Sequence, residues 1–179
     1  MTLIEVAIAM PIVLIAMGMF VQMFRTGVGL RTSGREIWSA NAAAQDLLER
    51  MRNEDFRSIV AIYNADPFDD PLGPGTAPGS TFSVDGLPAL DADSGLPVGE
   101  VILPVINTGT EVVPIWELRE DMELPALGLP RDLNADAVID ALDHSTDVSI
   151  LPILVRVRWR SANGPREYEL QTLLAEMRY

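Results

Sequence analysis

The chain of 179 residues has no cysteine and no lysine, and its single histidine is His144. Without cysteine there is no disulfide, no thiolate metal site and no thiol nucleophile. One histidine excludes a multi-histidine metal centre and leaves little general-base capacity near neutral pH. No nucleophile motif lies near His144 and no glycine-rich phosphate cradle is present, so no enzyme is expected. Basic charge is scarce as well: 13 arginines stand against 26 acidic residues, for a formal net charge of -13. That surface repels nucleic acid and anionic lipid heads, so no nucleic-acid partner is expected. What remains is a chain that is 48% hydrophobic, enough for one long apolar segment and one modest domain.

The apolar segment comes first. Residues 1–24, MTLIEVAIAMPIVLIAMGMFVQMF, have only Thr2, Glu5 and Gln22 as polar members, and no charge follows Glu5 until Arg25. As a helix it would reach about 36 Å, enough to cross a hydrocarbon core of about 30 Å. It has no basic n-region, it is too long for a signal-peptide core, and no small-residue cleavage site follows it. Pro11 cannot donate to the carbonyl of Ala7, so a kink or a short unwound stretch is expected there. A carboxylate in such surroundings costs a few kcal/mol, roughly, which demands an explanation for Glu5.

From Arg25 the pattern turns amphipathic. Leu30, Ile37, Ala44, Leu48, Met51, Ile59 and Ile62 recur at spacings that fit one helical stripe. One helix to about residue 62 is expected, softened at 26–34, where Gly27, Gly29 and Gly34 each cost about 1 kcal/mol against alanine. The alternative is two helices, the second restarted by the capping-box spacing of Ser33 and Glu36. The domain reading is therefore 1–24 hydrophobic helix, 25–62 amphipathic helix, and 63–179 β-rich head. Within the head, residues 64–98 are rich in Pro, Gly, Asp and Ser and form a long irregular loop.

Strand-like runs follow at 98–107, 111–119, 148–160 and 167–177. In the last pair, Val155, Val157 and Trp159 alternate with Arg156, Arg158 and Arg160, the period of a half-buried strand. Asn163-Gly164 signals a two-residue turn that would pair Ala162 with Pro165, Arg160 with Glu167 and Arg158 with Glu169. Pro165, however, has no N–H to close that turn. The arginine stripe is most simply a solvated face neutralised by glutamates. The fold class is α+β.

TLIEV at residues 2–6 with its unbroken apolar run, and VRVRWRSANGPREYELQTLLAEM at the C-terminal end, resemble the type IV pilin and type II secretion pseudopilin family. The resemblance implies a pilin-like fold, with the polar half of a long N-terminal helix packed on a small antiparallel sheet. It implies that Met1 is exposed by prepilin cleavage and carries a methylated amine. It further implies a chain held in the inner membrane before assembly, handled by a prepilin peptidase and pilus assembly machinery. The product would be a homo-oligomeric helical filament at the cell surface. The chain departs from the family in having Met1 in place of the usual phenylalanine. It also has Pro11, and Gln22 sits where many pilins carry proline. Met1, Glu5 and Pro11 are thus the candidate assembly residues.

On this reading Glu5 meets the Met1 amine of a neighbour. A free α-amine titrates near 8, so it is charged at neutral pH. Pairing the two gains little net energy because both are desolvated, whereas leaving either unpaired is costly, so the pair sets register. Met10, Met17, Met19 and Met23 suit a surface that packs against several non-identical neighbours, or serve as ordinary membrane filler. Two alternatives remain: a minor pseudopilin of a type II secretion pseudopilus, and a membrane-anchored calcium-dependent binding module.

The calcium expectation rests on DLNADAVIDALD, residues 132–143. Asp132, Asn134, Asp136, Val138, Asp140 and Asp143 fall at positions 1, 3, 5, 7, 9 and 12 of an EF-hand-like loop, Val138 through its carbonyl. The stretch is similar to dockerin-type calcium repeats, with Ile139 as apolar anchor. Ala137 occupies the position where the turn normally needs glycine. The competing reading is a solvated acidic loop capping a short helix over 137–142. His144, just beyond, is expected at the surface.

Overall fold

The computed structural model describes residues 2–91, 95–110 and 114–176, without the side chains of Leu3 and Val6. The chain divides into two compact units, Met1–Trp38 and Ser39–Tyr179, and the first helix belongs to both.

Helix α1 spans Leu3–Asn53, 51 residues, and it is α-helical through Pro11 and through the glycines at 27, 29 and 34. The unwound stretch expected at Pro11 and the break considered at 26–34 are therefore absent. A break exposes several backbone donors and acceptors at each new end, which outweighs three glycines at about 1 kcal/mol each. Thr26 and Thr32 also return hydrogen bonds to the carbonyls of Gln22 and Val28.

The helix stops at Asn53 and does not run to residue 62. Asn53 turns its amide back onto the Glu49 carbonyl, and Asp55 is extended (φ -63°, ψ 124°). A 3-10 turn at Phe56–Ser58 then leads into the one-turn helix α2, Ile59–Tyr63. Periodicity alone did not reveal the corner, because Ile59 and Tyr63 are as buried after it as they would be on a straight stripe.

The sheet is antiparallel throughout, in the order β1 (Thr81–Phe82), β2 (Gly99–Ile102), β5 (Ile150–Ser161) and β6 (Gly164–Ala175). A separate two-stranded ribbon pairs β3 (Val105–Asn107) with β4 (Trp116–Leu118). The run expected at 98–107 thus splits at Leu103-Pro104, and its halves join different sheets.

The β5–β6 hairpin exists where the alternation predicts it, but its register differs by two. The turn residues are Ala162 and Asn163, so Ser161 faces Gly164, Arg158 faces Glu167 and Arg156 faces Glu169. Proline decides this. The Arg160 N–H points away from β6 and donates to the Pro88 carbonyl. Arg160 and Pro165 are therefore a pair that exchanges no hydrogen bonds, and the missing N–H of Pro165 is harmless. Gly164 (φ 113°) supplies the turn's left-handed residue. Arg156 pairs with Glu169 at 2.7 Å and Arg158 reaches Glu100 at 3.3 Å, while Arg160 donates to the Leu90 carbonyl at 2.8 Å.

The core forms where the C-terminal turns of α1 meet the sheet. Ala44, Leu48 and Met51 pack with Ile59, Tyr63, Leu118, Leu133 and the buried residues of β5. A second cluster joins Ala40 and Trp159 to Val84 and Leu87, which ties the 64–98 excursion to the head. Each fully buried Leu or Met contributes about 2–3 kcal/mol from area alone.

Candidate functional sites

The first candidate is the start of α1. Glu5 lies in its first turn, and its Oε2 accepts the backbone N–H of Thr2 at 2.8 Å. The Glu5 N–H in turn donates to the Thr2 carbonyl at 3.1 Å. Thr2-Leu3-Ile4-Glu5 therefore has the spacing of a capping box, with the glutamate reaching back over the helix end. This role is legible in the sequence as Thr-x-x-Glu, a local spacing that the lone charge in an apolar run overshadows. Met1 lies outside the described residues. Pro11 sits inside the helix with its flank exposed.

Beyond the cap, the helix offers apolar side chains that nothing in its own unit covers. Ile8, Ile12, Leu14, Ile15, Met17 and Phe20 are all more than half exposed. The helix is long and apolar enough to cross a membrane over Ala7–Asn53, with a mean hydropathy of 2.2 in its most apolar window and none of that window buried.

The second candidate is the acidic loop. In its first half, Asp132 accepts the N–H groups of Ala135 and Ala137 at 2.6 and 2.8 Å. Asn134 accepts from Asp136 N–H, and Asp136 from Val138 N–H. Ala135 and Ala137 both take left-handed backbone (φ 68° and 70°). This is strained for alanine by about 1–2 kcal/mol each, and it is the conformation for which glycine was expected at 137.

The second half goes elsewhere. Asp143 caps the Leu118 and Ser145 N–H groups at 3.0 Å each. Asp140 accepts the Leu142 N–H and lies 3.2 Å from His144 Nε2. No helix forms over 137–142, and Val138, Ile139 and Leu142 are exposed, so Ile139 anchors nothing. Among the described residues, no group of three or more His, Asp and Glu side chains is arranged to hold a metal ion.

What organises this region is His144, which is buried (3% exposed) and not at the surface as expected. Its Nδ1 lies 3.1 Å from Asp147, its Nε2 3.2 Å from Asp140 and 3.7 Å from the Glu120 Oε2. An imidazolium donates from both nitrogens, so it satisfies two carboxylates at once. Burial pulls the His144 pKa down, but the hydrogen bonds to Asp140 and Asp147 and the charge of Glu120 outweigh it, and the net shift is upward. The Asn134 amide, and after it His144, hold Asp147 below the usual carboxylate range against partial burial.

Glu120 is fully buried. Its Oε1 accepts the N–H groups of Leu133 and Asn134 at 2.6 and 3.1 Å, while its Oε2 has no hydrogen-bond partner. Sequence reading missed Glu120 because it sits 13 residues from Leu133 with no local pattern to mark it. Asp147, three residues after His144, was detectable as a local partner.

No protein-family model, curated protein or solved structure matches the chain.

Proposed function

We propose that the chain is a pilin-like structural subunit that polymerises through α1 into a filament, with Glu5 of one copy pairing to the Met1 amine of its neighbour. The observation that carries this reading is the uncovered apolar surface of α1 immediately beyond a capped carboxylate. Apolar side chains left exposed along one long helix require a lipid or protein environment. A helix destined only to anchor the chain has no need of a charged carboxylate in its first turn, since a neutral glutamine at this position completes a capping box as well. The carboxylate held over the helix end is also placed where a second amine adds a charged partner.

The test is Glu5→Ala in the full chain. The variant inserts in the membrane and forms few or no filaments by electron microscopy of sheared surface material. Wild-type filament yield from Glu5→Ala contradicts the pairing. The same microscopy separates a main filament subunit from the minor pseudopilin alternative, which gives short or sparse assemblies.

A second reading, calcium at the 132–143 loop, is favoured by the left-handed backbone at Ala135 and Ala137, which folds the chain around Asp132. Asp132, Asn134, Asp136 and the Val138 carbonyl would hold the ion. Asp140 and Asp143 fit it poorly, since both are engaged with His144 and with backbone N–H groups. If calcium binds, a chelator lowers the melting temperature of the purified protein. An unchanged melt shows that the loop is held by its own hydrogen bonds.

A further inference from the structure

We propose that the 25–38 stretch of α1 is a docking surface for the acidic, apolar loop 66–72 of a second copy. The proposal rests on the filament reading above and names the contact that would secure it laterally. Arg25, Arg31 and Arg35 are all exposed on this stretch, and among the described residues none of them forms an ion pair. Val28 and Trp38 are exposed on the same face as Arg31 and Arg35, Trp38 by 69%. Gly27 leaves a notch open on this helix, walled by Phe20, Phe24 and Val28 with Arg31 at one end.

Lipid headgroups are the obvious competitor, and distance argues against them. The headgroup layer adds only about 5–8 Å beyond the hydrocarbon core. Counted from Phe24, Arg31 lies about 10 Å and Arg35 about 16 Å further along the helix. Arg25 can reach lipid phosphate, whereas Arg31, Arg35 and Trp38 extend past it. A protein surface that is acidic and apolar together complements them.

The chain carries such a surface itself. Only Glu5, Glu36, Asp46 and Glu49 of its 26 acidic residues precede Asn53. In loop 66–72, Phe68 and Leu72 are 73% and 90% exposed, the most open large apolar residues after Asn53. Asp66, Asp69 and Asp70 alternate with them. The loop is preformed: Asn64 donates to Asp69 at 2.7 Å, Asp66 accepts the Phe68 N–H, and Asp70 accepts the Ala77 N–H. A rigid loop loses little entropy on docking. Arginine against aspartate and aromatic or aliphatic side chains against a notched apolar helix are complementary in both charge and shape. The contact joins two different patches, so a copy that docks its loop on one neighbour still offers its own helix to the next, as a filament requires.

The absence of native cysteine makes the test direct. Full-length Val28→Cys and Phe68→Cys variants are co-expressed, the sheared filaments are mildly oxidised, and disulfide-linked pairs are separated by gel; Arg35→Cys with Leu72→Cys is run alongside. Both substituted pairs are exposed, so neither should disturb folding. The expected result is a mixed 28–68 crosslink that falls at least tenfold when Arg31→Glu and Arg35→Glu are added, and a 35–72 crosslink that falls when Arg31→Glu is added, with the melt of the full-length protein unchanged. Well-formed filaments lacking both mixed crosslinks overturn this contact while leaving the filament reading intact. If the wild-type chain forms no filaments, both fall. A crosslink that survives the arginine reversals while membrane retention is lost overturns the contact as a charge-driven one and assigns these arginines to lipid.

Discussion

The apolar first half of α1 and the acidic loop after Leu129 solve opposite problems. The helix leaves its apolar side chains uncovered, from Ile8 to Phe24, with the Thr2 N–H at its start settled by Glu5. The loop is as charged as the helix is greasy, yet almost every group in it has a partner inside the chain. Asp132, Asn134 and Asp136 bond the loop's own backbone, Asp143 reaches the β4 backbone, and His144 draws Asp140, Asp147 and Glu120 together. Conspicuous composition does not by itself mark an interaction site. What marks one is a surface whose needs the chain leaves unmet, and by that measure the helix is the stronger candidate.

Substitutions separate the two regions. The largest effect is expected at Glu5→Ala, which lowers filament yield about a hundredfold, on the scale set by an unpaired buried charge, while the purified full-length protein melts as before. Leu118→Ala is the converse. It empties a fully buried core position and lowers head stability by about 2–5 kcal/mol, read in a denaturant melt. By comparison, Leu14→Ala leaves that melt unchanged. A melt that responds to Leu14→Ala would mean that the head already covers the apolar helix, which would erase the contrast.

Smaller effects probe the loop. Glu120→Ala strips the acceptor from the Leu133 and Asn134 N–H groups and lowers stability by about 1–3 kcal/mol. No loss there means that water or a neighbouring side chain replaces the carboxylate, and that the loop is not organised from beneath. Ala137→Gly relieves left-handed strain at φ 70° and raises stability by about 0.5–1 kcal/mol. A loss instead would show that the turn is not held in that conformation in solution.

Much of the fold was legible because it follows from local pattern. Residues 1–24 read as helix from composition, and the alternation from Val155 to Arg160 reads as strand. The hairpin register was two residues off because the Asn-Gly signal outweighed Pro165, whose missing N–H settles the matter only when the opposite strand's bonding is known. The helix end at Asn53 was hidden because Ile59 stays in the core on either path. At the loop, Asp132, Asn134 and Asp136 were expected as calcium ligands together with Asp140 and Asp143, and the spacing could not show that the first three bond the loop's own backbone or that Asp143 is claimed by Leu118. Nor could it show that Glu120 buries beneath the loop and draws His144 inward. Those are long-range pairings with no periodic trace.

The central claim is that the carboxylate near the leading end of the rod changes partner when copies come together. Helical reconstruction of the intact filament tests it most directly. The account predicts the Glu5 carboxylate within about 3 Å of the terminal amine of an adjoining copy, a charge-assisted contact. A filament in which that carboxylate holds only its own Thr2 N–H, with every terminal amine far away, contradicts it.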